Sequence, residues 1–189
     1  MKALGHAAFP AIVERAGARY DEQQDALLLA MLGQEYVVRH DGISLRGQKA
    51  PDVHASVILD YLFSSGTALT LTPWRVIGDF SGTRRPDFRK AVELPVAQHA
   101  AEVITRAQAL LPMLDGKGTP SIIGSDMAVT VRALPKVYLH VELWQETPDF
   151  PPETWILFSN NAHEFLNAQS LQALADVFKD RLLSLLRIC

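Results

Sequence analysis

The sequence predicts an α+β fold with a largely antiparallel sheet built from two three-strand segments and helices packed on one side. Strand-like segments come in two consecutive groups, at 26–46 and at 127–159, and do not alternate with helices. Hairpin-short connections with turn signals such as Asp41-Gly42 join the first group. Stretches with apolar residues at helical spacing lie between and after the two groups.

In the first half, a short helix is predicted over 11–19, followed by strands at 26–32, 35–39 and 43–46. The later two strands are rich in residues that favour a pleated surface, whereas 26–32 is equally compatible with a helix. Pro51 and Asp52 open a helix that Gly66 is placed to end. Its expected buried positions recur at helical spacing: Val53, Val57, Ile58, Tyr61 and Leu62.

In the second half, a short strand is predicted within 67–80 and an ordered loop over 81–90. A helix is predicted over 96–114, with Pro112 in its last turn. Alternation predicts strands at 127–133, 136–145 and 154–159. The final segment is an amphipathic helix, capped by Asn167 or Ser170, that buries Leu171, Leu174, Phe178, Leu182 and Leu185.

Length and composition indicate one domain over residues 1–189, with 48% hydrophobic and 21% charged residues. The formal net charge of −3 argues against nucleic acid as the main ligand. The single cysteine, Cys189, cannot build a disulfide or a cysteine-ligated metal cluster within one chain. We find no export signal or membrane-spanning stretch, and we therefore expect a cytoplasmic protein without a cofactor.

Several weak motifs agree in order and spacing with one known family. They are Leu32-Gly33-Gln34-Glu35-Tyr36, Asp60-Tyr61-Leu62, Gly66-Thr67, Trp74, Leu134-Pro135-Lys136-Val137, Leu143-Trp144, Asp149-Phe150-Pro151-Pro152 and Ile156-Leu157-Phe158. Through them the chain resembles an uncharacterised domain-of-unknown-function family, number thirty-seven eighty-six, of anaerobic bacteria and archaea. Some members carry an appended iron-sulfur segment, so the resemblance implies a setting in anaerobic or metallocofactor metabolism. This chain lacks that segment, and it has Gln145-Glu146-Thr147-Pro148 in place of an acidic run and Ser159 in place of the usual Asp. Both departures weaken the transfer of an acidic site from the family to this chain.

The segment 81–90 gathers four cations beside a glycine and two hydroxyls. Paired hydrogen bonds from arginines suit a phosphate or a carboxylate, so we hypothesise an anion site formed by Arg84 and Arg85 within the Trp74–Lys90 loop. The spacing is not that of a P-loop. The alternative is a solvated turn whose arginines pair with acidic residues.

Three other groups of residues have both a functional and a structural interpretation. Glu146 and Asp149 can place two carboxylates at the rim of a cleft, or the Pro151-Pro152 connection is structural and Phe150 staples it to the core. His140, Glu142 and His163 can bind a metal if the fold joins them; otherwise His140 is a half-exposed strand residue and His163 a loop residue, and we predict no metal site. Trp74 and Arg75, with Tyr61 and Trp144, form an aromatic wall or belong to the core. No nucleophile is evident.

Two classes of function follow, and we favour a non-catalytic ligand-binding or accessory module that takes a small anionic ligand or a partner metalloprotein. The candidate binding residues are Trp74, Arg75, Asp79, Arg84, Arg85, Arg89, Trp144, Glu146, Asp149 and His163. The alternative is a small hydrolase or transferase that uses loop carboxylates and His163. A homodimer formed through the last helix or a sheet edge is a third expectation.

Overall fold

The structure is a computed structural model that describes residues 9–188, with side chains from residue 12 to residue 187. The helices are α1 (Phe9–Ala16), α2 (Asp52–Leu62), α3 (Arg85–Phe88), α4 (Leu94–Ala97), α5 (Ala100–Met113), α6 (Ala162–Phe165) and α7 (Ala168–Ile188). The strands are β1 (Arg19–Asp21), β2 (Ala26–Met31), β3 (Gln34–Arg39), β4 (Gly42–Leu45), β5 (Gln48–Lys49), β6 (Arg75–Val76), β7 (Gly116–Thr119), β8 (Met127–Leu134), β9 (Val137–Trp144) and β10 (Glu153–Phe158). A 3₁₀ turn covers Ile77–Asp79, and a π-helical turn covers Arg89–Glu93.

The strands form two five-stranded sheets, and every strand pair is antiparallel. The first sheet has the order β1-β2-β3-β4-β5, and the second has the order β6-β10-β9-β8-β7. The predicted α+β class and antiparallel pairing are confirmed. Each predicted three-strand segment is the centre of its own sheet, and short strands extend both edges of each sheet. Of these edge strands, β6 lies within the stretch 67–80 in which a short strand was predicted, whereas β1, β5 and β7 were not predicted.

The β2–β3 hairpin shows why residues 26–31 form a strand and not a helix. Leu32 and Gly33 both have positive φ, +51° and +72°, which is the geometry of a tight two-residue hairpin turn. This turn is also a contact point, because a Cβ on Gly33 would lie 2.3 Å from the carbonyl oxygen of Met113 at the end of α5. The Leu32 N–H donates to the Ala133 carbonyl at 3.0 Å and connects the first sheet to β8.

One hydrophobic core draws on both sheets and on the helices. One face of β9 is buried through Val137, Leu139, Val141 and Leu143, and so is the predicted stripe of α7. Asn167 caps α7 as predicted, because its Oδ1 accepts the Ser170 N–H at 2.9 Å. No helix within the described residues is long and apolar enough to cross a membrane.

Two predicted helix ends are wrong for identifiable reasons. The first helix ends at Ala16 because Gly17 adopts φ +63°, a common way to end a helix, and Arg19 already belongs to β1. Helix α2 ends at Leu62, before Gly66, which instead packs against the Phe165 ring so closely that a Cβ would lie 2.8 Å from it. Val53, expected in the core, is 44% exposed.

The predicted loop at 81–90 is also wrong, because α3 begins at Arg85 and runs into the π-helical turn. Pro86 in its first turn has the φ that a starting helix requires, and Phe88 anchors the turn in the core. The helix predicted over 96–114 is divided into α4 and α5. Our expectations for Cys189 and for the first eight residues concern positions outside the described part of the chain.

Candidate functional site

Three of the predicted binding residues lie together in a cleft at the β6 edge of the second sheet. Arg75, Asp79 and His163 line this space of about 360 Å³, together with Ser81 and the start of α7. We call it the edge cleft. Its remaining walls are Phe80, Leu166, Asn167, Ala168 and Leu171.

The local fold at β6 fixes one wall of the edge cleft. Arg75 is paired with Phe158 of β10, and the 3₁₀ turn brings Asp79 back towards it. Asp79 Oδ2 accepts the Val76 N–H at 3.2 Å and lies 3.6 Å from Arg75 Nε, while Arg75 Nη2 donates to the Asp79 carbonyl at 3.2 Å. The guanidinium also lies 5.3 Å from the centre of the Phe80 ring. Arg75 is therefore held in place by contacts on two sides, yet about a third of its side chain is exposed.

His163 and the start of α7 form another wall of the edge cleft. The Asn160 carbonyl lies 3.0 Å from His163 Nδ1, and since a carbonyl only accepts, Nδ1 carries a hydrogen. Nε2 is then the other nitrogen of an exposed ring. The first N–H groups of α7 have no partner within the helix, and the helix dipole gives this end a partial positive charge.

The three arginines predicted for the 81–90 segment lie outside the edge cleft and are paired with carboxylates. Arg84 Nε is 3.5 Å from Asp87 Oδ2, and the Arg84 side chain is 78% exposed. Arg89 Nη2 is 3.4 Å from Glu153 Oε1. These pairs correspond to the alternative interpretation of the segment, and the anion site at Arg84 and Arg85 stays a prediction.

Arg85 belongs to a more enclosed cluster beside the π-helical turn. Its guanidinium lies 3.9 Å from the centre of the Trp155 ring and 3.9 Å from Glu93 Oε2. Glu93 is buried, and its Oε1 accepts the Ile156 N–H at 3.0 Å. Burial raises the pKa of Glu93, although the Ile156 hydrogen bond and the charge of Arg85 act in the opposite direction.

The remaining predicted residues do not join the edge cleft. Glu146 and Asp149 are exposed, and among residues 9–188 neither side chain forms a hydrogen bond or ion pair. They follow the C-terminal end of β9, whereas His163 lies beyond the N-terminal end of this strand. The strand has eight residues at about 3.3 Å each, so the two positions are more than about 20 Å apart. Phe150, expected to staple this connection to the core, is 72% exposed because Thr147 and Phe150 close a turn through their own backbones.

The three aromatic residues of the predicted aromatic wall each have different partners. Tyr61 is buried against Phe165 and donates to the Ala16 carbonyl at 2.7 Å. The Trp144 Nε1–H donates to the Gly124 carbonyl at 3.3 Å. Trp74 stacks on His140, with ring centres 5.0 Å apart and planes 24° apart.

Trp74 covers a buried polar network on the outer face of the second sheet, the face that carries Thr130, His140 and Glu142. His140 Nε2 lies 3.0 Å from Glu142 Oε1, and His140 Nδ1 lies 3.1 Å from Thr130 Oγ1. The side chains of His140 and Glu142 are only 2% and 0% exposed. The interpretation of His140 as a half-exposed strand residue is therefore wrong, because Trp74 covers this face.

Glu142 is the centre of this network. It accepts hydrogen bonds from the Ser121 hydroxyl and the Ile122 N–H, each at 2.7 Å, and from the Ser125 hydroxyl. Burial by itself raises the pKa of a carboxyl, but these hydrogen bonds and the one to His140 outweigh burial and lower the pKa of Glu142. Glu142 is therefore ionised at neutral pH and anchors the 121–125 loop.

His140 and Glu142 are two residues apart in β9 and so lie on one face of the strand, but the sequence could not show that this face is buried. The joint metal site with His163, which the sequence left only as an alternative, is not formed, since His163 lies in the edge cleft. Among the described residues, no group of three or more His, Cys, Asp or Glu side chains is arranged to hold a metal ion.

The fold and the edge cleft define a small α+β protein with two antiparallel sheets and a polar cleft that contains one arginine and one histidine. The chain belongs to the family described as a domain of unknown function (DUF3786), whose pattern matches residues 8–181. This match confirms the resemblance identified from the sequence motifs. No curated protein and no solved structure matches the chain.

Proposed function

We propose that the protein is a ligand-binding module that takes a small anion, a carboxylate or a phosphate, in the edge cleft without acting on it chemically there. The observation that carries this proposal is that Arg75 and His163 both line one space of about 360 Å³. Pockets that hold small ligands begin at about this volume.

The chemistry of the cleft favours negative charge. Asp79 is the one acidic residue among its walls, and its carboxylate already faces Arg75 and the Val76 N–H. The guanidinium keeps exposed N–H donors, and the start of α7 adds backbone donors with a favourable dipole. Ser81 supplies a hydroxyl, so a carboxylate or phosphate can find donors on both walls.

The cellular setting of the proposal comes from the family resemblance alone. We place the module in the cytoplasm of an anaerobic organism, as an accessory in metallocofactor metabolism that serves an anionic ligand or a partner metalloprotein. A homodimer remains part of the expectation, and light scattering of the purified protein measures it directly.

Titration of the ¹⁵N-labelled protein with inorganic phosphate and with succinate tests the proposal. We expect saturable shifts of the amide signals of Ser81, Ala168 and Gln169, and a loss of affinity of about tenfold or more in Arg75→Gln, because a charge-assisted hydrogen bond contributes about 1.5–3 kcal/mol. The matched control is Arg84→Gln, which removes an exposed arginine outside the cleft.

The outcomes separate the two anion sites under consideration. Loss of binding in Arg84→Gln with retention in Arg75→Gln would place the ligand at the segment predicted from the sequence. If neither anion causes saturable shifts up to about 10 mM, its binding free energy is weaker than about 3 kcal/mol, and the proposal is overturned. The melting temperature of both variants shows whether they remain folded.

A further inference from the structure

We propose that the outer face of the second sheet carries a second, hydrolytic site, in which Thr130 is the nucleophile, His140 its general base and Glu142 the residue that positions His140. The site shares no lining residue with the edge cleft. The substrate class we assign is a small ester or thioester that carries an acidic group.

Hydrogen bonds join the three residues in the required order. Thr130 Oγ1 lies 3.1 Å from His140 Nδ1, and His140 Nε2 lies 3.0 Å from Glu142 Oε1. A fourth group, Thr119 Oγ1, lies 3.1 Å from Thr130 Oγ1. The strand register explains this order, because Thr130 is directly opposite His140 on the neighbouring strand and Glu142 follows two residues later on the same face.

The direction of each hydrogen bond follows from the ionised state of Glu142. A carboxylate only accepts, so His140 Nε2 must carry a hydrogen and donate it to Glu142. In the neutral ring Nδ1 then has a lone pair and accepts the Thr130 hydroxyl hydrogen. Thr119 in turn donates to Thr130 Oγ1. The network thus holds Thr130 with its hydrogen on a base and its oxygen available, as nucleophilic catalysis requires.

Thr130 is only 6% exposed, and it lines a shallow cavity of about 310 Å³ on the same face. Lys117, Arg132 and Tyr138 also line this cavity, and Asp115 pairs with Arg132 at 2.6 Å. In the part of the chain that the structure describes, Lys117 forms no ion pair. One positive charge is therefore left uncompensated in the cavity, and this favours a substrate with an acidic group.

The reaction is a two-step acyl transfer. Thr130 Oγ1 attacks the carbonyl carbon while its hydrogen passes to His140 Nδ1, and the resulting imidazolium is stabilised by Glu142. The carbon–oxygen or carbon–sulfur bond to the leaving group breaks as that group takes the hydrogen from Nδ1. Water then attacks the acyl-Thr130 ester, gives its hydrogen to His140, and releases the acid while Thr130 Oγ1 recovers a hydrogen.

The first experiment uses the unaltered protein. Intact-mass spectrometry after incubation with the 4-nitrophenyl monoester of succinic acid should detect a succinyl adduct, and peptide mapping should assign it to Thr130. Release of 4-nitrophenolate should be faster from this ester than from neutral 4-nitrophenyl acetate, each relative to its uncatalysed rate. An adduct on lysines alone, or a rate equal to the uncatalysed one, overturns the proposal.

Variants separate catalysis from folding. Thr130→Val keeps the shape of the side chain and should lose at least about a hundredfold in kcat, while Thr130→Ser should retain activity. Glu142→Gln should lower kcat with little change in KM, since a positioning residue does not touch the substrate. Wild-type activity in Thr130→Val contradicts the assignment, and the labelling experiment decides the question even if a variant does not fold.

Discussion

Replacing Glu142 by alanine should destabilise the protein by about 3–5 kcal/mol, the range for breaking a buried charged network by removing one partner. The carboxylate is fully buried and has four hydrogen-bond donors, from Ser121, Ile122, Ser125 and His140. Hydrogen bonds to charged groups contribute about 1.5–3 kcal/mol each, so the simple sum is larger. The two serine hydroxyls can rotate to other acceptors, and for this reason we expect the lower total.

Urea-induced unfolding at pH 7 measures this loss. The matched control is Glu146→Ala, which removes an exposed carboxylate two residues after the end of β9. This substitution should change the free energy of unfolding by no more than about 0.5 kcal/mol. A loss below about 1 kcal/mol in Glu142→Ala would refute the reasoning, because it would mean that the network contributes no more than one ordinary hydrogen bond.

The pH dependence provides a second check on Glu142. Because the folded-state pKa of Glu142 lies below the ordinary value of 4.5, the ionised carboxylate contributes stability that is complete above that value. This contribution is lost as the pH falls through the lowered folded-state pKa. The difference in unfolding free energy between wild type and Glu142→Ala should therefore be constant near neutrality and shrink in acid below about pH 4.

Two further predictions concern buried groups elsewhere. Glu93→Gln should stabilise the protein at pH 7, because burial raises the pKa of Glu93 and makes its ionised form costly in the folded state, while glutamine still accepts the Ile156 N–H. Since the folded state favours the protonated acid, the gain in melting temperature should disappear towards pH 4. Gly33→Ala should lower the free energy of unfolding in urea by about 1–3 kcal/mol more than Gly47→Ala does. Both glycines have positive φ, but only Gly33 lies against the Met113 carbonyl, so equal losses in the two variants would contradict this contact.

The elements that the sequence predicted well are those whose pattern is long and periodic. The eight residues of β9 alternate cleanly, and the 21 residues of α7 keep one apolar stripe from Leu171 to Leu185. Short edge strands escaped prediction because two to four residues, such as Gln48–Lys49 and Gly116–Thr119, carry no detectable period. Their pairing depends on the neighbouring strand and not on their own side chains.

The candidate site shows the same limit at the level of side chains. The sequence singled out Arg75, Asp79 and His163, but it could not show that a 3₁₀ turn and the start of α7 bring these three together. Arg84 was an equally good candidate from composition, and only the fold reveals that it pairs with Asp87 away from the cleft. Charge density along the chain therefore indicates where cations are abundant, whereas the partner of each cation depends on the three-dimensional structure.

The segment around β6 explains how one short stretch of sequence contributes to two distinct sites. Trp74 and Arg75 are consecutive, and side chains of consecutive residues at a strand point to opposite faces of the sheet. Trp74 accordingly covers His140 on the outer face, while Arg75 lines the edge cleft. The segment before them is held by the Asn161 amide, which donates to the Ala68 carbonyl at 2.8 Å. A displacement of β6 would change both sites together, so the geometry of each depends on the same two-residue strand.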